Sequence, residues 1–121
     1  MWVRIARHYP VAYTPELLAE YRGRTTSMSA EKERLGHVIT GASRAIALIQ
    51  QHLPAADKQR IAERSRKRYA YLGIGGAYRL LRDTHDWSLA QGRIRQSLAL
   101  SRHPTVYVQL LKFYLKALLR W

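Results

Sequence analysis

Proton transfer, metal binding and nucleophilic attack each require particular side chains at particular spacings. The acids of this chain are Glu16, Glu20, Glu31, Glu33, Asp57, Glu63, Asp83 and Asp86. None forms an Asp-x-Asp pair, an arrangement that offers two carboxylates to one divalent cation. Asp83 and Asp86 lie within one turn of each other, but a turn and a helix N-cap account for both without a metal. The histidines, His8, His37, His52, His85 and His103, are scattered. Neither H-x-x-x-H nor H-E-x-x-H occurs, so zinc is not expected. The chain has no cysteine, which removes thiolate ligands and thiol nucleophiles. Its serines and histidines come with no nucleophile elbow. No catalytic residue is therefore assigned, and the chain by itself is not expected to be a complete enzyme.

The cations suggest a different chemistry. Lysine and arginine total 21 against 8 acids, a net charge of +13 with a pI near 10.8. Such a balance calls for an anionic partner: nucleic acid, anionic lipid headgroups or phosphorylated metabolites. The bland account is that the compensating acids belong to the rest of a longer chain. The run KQRIAERSRKRYAY gathers Lys58, Arg60, Arg64, Arg66, Lys67 and Arg68 with two tyrosines, a composition able to grip phosphates. Spacings of one, two and four residues spread these cations around a helix, and Asp57 and Glu63 interrupt them, so a solvated face explains them about as well. No helix-turn-helix spacing appears. GIGG at Gly73 to Gly76 has no preceding strand and no G-K-[ST] completion, and reads as tight helix packing rather than a phosphate loop. Near the C-terminus Lys112, Lys116 and Arg120 fall on one helical stripe, with Leu, Tyr, Phe and Val over most of the remainder and Trp121 at the end. Cations on a narrow face beside Leu, Tyr and Trp describe an interfacial helix, which makes Lys112, Lys116, Arg120 and Trp121 candidates for contact with an anionic membrane surface. A last helix packed between two others is the competing account.

The elements that must position these groups are mostly helical. At 121 residues, 47% hydrophobic and 24% charged, the chain has the length and composition of one folded domain. No run reaches the roughly 18 apolar residues of a spanning helix. The N-terminus lacks a secretory pattern, and with no cysteine a cytosolic setting fits best, extended by the last helix to the inner face of the membrane. Trp2, Ile5 and Ala6 are spaced for the buried face of a short helix over residues 2 to 8, ended by Pro10. Val11 to Tyr13 reads as a short strand, while Leu17 to Arg22 has a period that suits neither element cleanly and reads as a second strand or a short helix. Ser29 can cap a helix with Glu31 and Glu33 in its first turn and Leu35, Val38, Ile39, Ala42, Ile46 and Ile49 on its apolar side, ending near Leu53-Pro54. Further helices are predicted from Ala55 to Arg82, from Trp87 to Ser101 behind an Asp86 N-cap, and from Pro104 to Trp121. The stretch from Arg68 to Pro104 loosely resembles one tetratricopeptide-like unit of about 34 residues. The fold class is mainly α, helical hairpins or a bundle, preceded by a short α/β segment.

The first 29 residues carry a resemblance. Trp2, Arg4-Ile5-Ala6, Tyr13, Pro15, Leu18 and Tyr21-Arg22, followed by a hydroxyl-rich loop ending at Ser27 to Ser29, resemble in order the end of the catalytic domain of family-2 glycosyltransferases of the GT-A fold. The resemblance covers about a quarter of the chain and divides it into the end of a catalytic domain, residues 1–29, and a C-terminal helical domain, residues 30–121. It implies a parent enzyme with a nucleotide-sugar donor, a saccharide or lipid-linked acceptor, and a Mg or Mn ion held by an upstream Asp-x-Asp; no cofactor is assigned to this chain. By the same resemblance Arg22 and Arg24 would bind the donor diphosphate and Trp2 would flank the acceptor sugar. Where the family often has a histidine two residues after Tyr-Arg, Arg24 stands here, which suits a diphosphate better than a metal. The partners implied are the remainder of the enzyme and, through strand edges of the N-terminal segment, a second copy of the chain.

Overall fold

The computed structural model describes residues 5–6, 8–19 and 37–119. Four helices follow one another: α1 (His37–Gln50), α2 (Ala55–Thr84), α3 (Trp87–Leu100) and α4 (Pro104–Leu118). Each boundary has a local cause. Pro54 precedes α2, and its carbonyl accepts from the amides of Asp57 and Lys58, both at 3.1 Å. At the other end His85 adopts the left-handed conformation, φ 57°, and its amide returns to the Leu81 carbonyl. Asp86 then caps α3, its carboxylate accepting from the Leu89 amide at 3.0 Å. Pro104 opens α4, where the missing amide proton costs nothing, and His103 Nδ1 accepts from the Thr105 amide at 3.2 Å.

The long helix α2 is the spine, packing against each of the other three. Ala70, Ile74, Ala77 and Leu81 recur at helical spacing along it and meet Ala90 and Ile94 of α3 and Val106, Phe113 and Ala117 of α4 in one core. Phe113 stands edge-on to Tyr78, with ring centroids 6.3 Å apart, and lies 5.8 Å from Trp87. Ile39, Ala42 and Ile46 bury the inner side of α1, while Val38, expected on that side, is 38% exposed. Two of the three glycines of α2, Gly73 and Gly76, serve close packing. A Cβ at Gly73 would come within 2.2 Å of Ser97 Oγ on α3 and 2.7 Å of Ile39 Cδ1 on α1, so three helices converge on that hydrogen. At Gly76 the same construction meets the buried Arg93 guanidinium at 3.1 Å. Gly73 and Gly76 therefore mark helix crossings, as the sequence suggests, while Gly75 meets only an ordinary contact.

The chain is mainly α, with no strand among the described residues. Before α1 the expectations need correction. Ile5 and Ala6 are helical, and the amides of His8 and Tyr9 both reach the Ile5 carbonyl, but Ile5 and Ala6 are exposed rather than buried. Val11 to Tyr13 forms no strand, because no partner backbone is at hand among the described residues, and Tyr13 is 89% exposed. Leu17 to Ala19 likewise show no strand; Glu20 to Arg22 lie outside the described residues, as do Trp2, Arg24, the Ser29 cap, Glu31, Glu33 and Leu35.

Candidate functional site

The basic run resolves into two sides when wound onto α2. Arg64, Lys67, Arg68 and Tyr71 stand at i, i+3, i+4 and i+7 and so share a face. Lys58 and Arg66 fall on other sides of the helix. The reading that these cations are dispersed thus holds for part of the run and fails for this stripe. The start of α4 closes the stripe into a cleft: Lys67 Nζ is 3.4 Å from His103 Nε2 across the two helices. Arg64, Ser65, Lys67, Arg68, Tyr69, Tyr71 and Thr105 line an open cleft of about 650 Å³. Two acids of α2 are engaged elsewhere. Asp57 pairs with Arg60 one turn along, and Asp83 hydrogen-bonds Arg82 at 2.8 Å. That bond and the Asp83 charge raise the Arg82 pKa above its ordinary value. The cleft combines three cations, two hydroxyls and two phenol rings, a set of donors suited to phosphate oxygens with rings beside them.

The second surface is the outer side of α4. Val106, Phe113 and Ala117 face the core. Opposite them, Tyr107, Val108, Leu111, Tyr114, Leu115, Leu118 and Leu119 are 40 to 85% exposed. At 100° per residue this apolar arc spans roughly 140°. Lys112 and Lys116 border one edge of it, with Lys116 Nζ 5.5 Å from the centre of the Tyr78 ring. At the other edge Trp87 of α3 lies 6.3 Å from Tyr114. Of the membrane-surface candidates, Lys112 and Lys116 are therefore placed together on the exposed flank; Arg120 and Trp121 are outside the described residues. The expectation that α4 packs between two other helices is not met among the described residues, since its outer arc faces solvent.

Arg22, Arg24 and Trp2, assigned through the family resemblance, also fall outside the described residues. Among the described residues no group of His, Asp and Glu side chains converges in a way that could hold a metal ion, and no helix is long and apolar enough to cross a membrane. The sequence reading missed Ser65, His103 and Thr105 as companions of the basic stripe. The stripe's own periodicity was available as a signal; the juxtaposition with α4 was not. Comparison with known proteins found no match among family models, curated proteins or solved structures.

Proposed function

We propose that the chain is the C-terminal part of a nucleotide-sugar-dependent glycosyltransferase, the end of a GT-A catalytic domain followed by a helical domain with a docking role. The observation that carries this reading is the ordered residue set from Trp2 to Ser29. The exposure of apolar side chains in this segment supports it: Val11 is 76%, Tyr13 89%, Leu17 91% and Leu18 72% accessible, side chains that a preceding domain would cover. In the complete enzyme the departing nucleoside diphosphate accumulates negative charge, and guanidinium groups fixed beside it lower the barrier to sugar transfer. Arg22 and Arg24 would supply that charge, Trp2 would offer a ring face to the acceptor pyranose, and the catalytic base and metal site would come from upstream sequence. The test is an assay of the purified chain against a panel of nucleotide sugars with Mn or Mg. No turnover is expected from the chain alone, and specific transfer would overturn the proposal. In the enzyme that contains the upstream domain, Arg22→Ala and Arg24→Ala should each lower kcat by roughly tenfold or more, the scale of one lost charge-assisted contact in the transition state.

A second reading, a small basic nucleic-acid-binding module, is favoured by one feature, the stripe of Arg64, Lys67 and Arg68 beside Tyr69 and Tyr71. Cations that track a backbone and rings on which bases stack are the components of single-strand binding. Titration with single-stranded and duplex oligonucleotides at rising salt decides it. Three phosphate contacts give a slope of log affinity against log salt of about −2 for single strands. The glycosyltransferase reading requires no such binding.

A further inference from the structure

Helix α4 has an apolar inner face and an apolar outer face at once. A helix apolar all round is normally enclosed, yet Leu111, Leu115, Leu118 and Leu119 stand 60, 49, 77 and 85% exposed. They form a continuous arc rather than scattered surface leucines, and contiguous arcs of this kind mark an interaction site. What borders the arc identifies the occupant. Thr105, Lys112 and Lys116 lie at i, i+7 and i+11, one stripe along the edge of α4. Thr105 also lines the cleft of Arg64, Lys67 and Arg68, so this polar flank leads from the cations of the cleft at one end of the helix to Lys112 and Lys116 in its second half. The rings of Tyr107 and Tyr114 line the opposite margin, joined by Trp87. A cationic edge, an apolar centre and an amphipathic aromatic edge match the layering of a lipid headgroup region over acyl chains.

We propose that the outer face of α4 lies in the interface of an anionic phospholipid bilayer, with Leu111, Leu115 and Leu118 in the acyl boundary and the Thr105–Lys116 flank, continued by the cleft, against lipid phosphates. Two alternatives fit the surface less well. A second copy of the chain would bring another molecule of net charge +13 against the first. A nucleic-acid backbone has no use for an arc of leucine. The inference does not rest on the glycosyltransferase reading and can fail or succeed apart from it.

The test is sedimentation of the full chain with vesicles of phosphatidylcholine containing 30% phosphatidylserine, at low salt, against vesicles of phosphatidylcholine alone. The chain should sediment with the anionic vesicles and remain in solution with the neutral ones. Lys112→Glu with Lys116→Glu should lower partitioning by at least about 25-fold, since each basic residue near such a surface is worth roughly fivefold. Leu111→Ser with Leu115→Ser and Leu118→Ser should lower it at least about tenfold while helix content by circular dichroism stays unchanged. All three leucines are exposed, so the fold does not depend on them. An intact chain that ignores anionic vesicles overturns the proposal. So does a leucine variant that sediments like the intact chain, which would mark a simple polyanion-binding surface. A dimer that the leucine substitutions dissociate, without vesicle binding by the intact chain, assigns the face to self-association and overturns it as well.

Discussion

Gly73 and Gly75 sit two positions apart in α2 and meet opposite surroundings. A methyl group at Gly73 would stand 2.2 Å from Ser97 Oγ, whose hydroxyl is fully buried and donates to the Arg93 carbonyl at 2.9 Å. Ser97 cannot yield without losing that bond, and Ile39 at 2.7 Å presses from α1. Overpacking of this kind costs about 1 to 3 kcal/mol and outweighs the roughly 1 kcal/mol by which alanine is the better helix former. At Gly75 the added Cβ meets only Gln109 Nε2 at 3.7 Å, an ordinary contact, so the helical preference decides. Gly73→Ala should therefore destabilise the protein by up to about 2 kcal/mol, and Gly75→Ala should stabilise it by up to about 1 kcal/mol. Thermal unfolding separates the two, because shifts of opposite sign and several degrees are expected for a domain of this size. Equal shifts in the same direction would refute the three-helix crossing. Asp86 offers a further check: Asp86→Ala removes the acceptor for the Leu89 amide and should cost about 1 kcal/mol, while Asp86→Ser should be nearly neutral.

At the scale of elements, Phe113 anchors α4 to the other helices: it is 2% exposed and meets Tyr78 of α2 and Trp87 of α3, with Tyr114 of α4 beside it. Phe113→Ala should cost about 3 to 5 kcal/mol, a large share of the stability of a domain whose total is of order 5 to 15 kcal/mol. Denaturant unfolding followed by far-UV circular dichroism measures it, and a loss below about 1 kcal/mol would mean that the ring cluster does not anchor the helix. The same elements show what could be read from the chain. Pro54, Asp86 and Pro104 punctuate it so clearly that the expected starts at Ala55, Trp87 and Pro104 coincide with the observed ones. These signals are local, carried by a missing amide proton or a side-chain acceptor. The strands expected before Ser29 were a different kind of inference: Val11 to Tyr13 has strand composition, but a strand exists only with a partner to share its hydrogen bonds. The cleft was half legible. The stripe of Arg64, Lys67, Arg68 and Tyr71 follows from helical periodicity alone, whereas the arrival of His103 and Thr105 beside Lys67 depends on how α3 returns the chain along α2, a register that no short motif encodes.

Across the whole molecule, the buried hydrophobic side chains of the described residues all lie between Ile39 and Ala117. The described part of the N-terminal segment adds none: Tyr9, Val11, Tyr13, Leu17 and Leu18 are 67 to 91% exposed. Its backbone has few partners, the bonds to the Ile5 carbonyl and one from the Glu16 amide to Thr14 Oγ1 at 3.2 Å. Protection from amide exchange follows buried contacts and internal hydrogen bonds, so it should be distributed very unevenly. Amides of residues 70 to 81, in the centre of α2, should exchange only through global opening, while those from Val11 to Leu18 should exchange at nearly the rate of an unstructured peptide. If an upstream catalytic domain normally covers Val11, Tyr13, Leu17 and Leu18, then the same amides should become protected by at least about a hundredfold when the chain is studied as part of the complete enzyme, a change that about 3 kcal/mol of local burial would produce. Exchange of α2 should be unaffected. Hydrogen exchange with peptide-level mass spectrometry on both forms makes the comparison directly. Slow exchange from Val11 to Leu18 in the isolated monomer would show that the helical body already covers this segment, and the glycosyltransferase reading would then lose its structural support. Unchanged, fast exchange in the longer protein would remove the reason for these apolar side chains to be there at all.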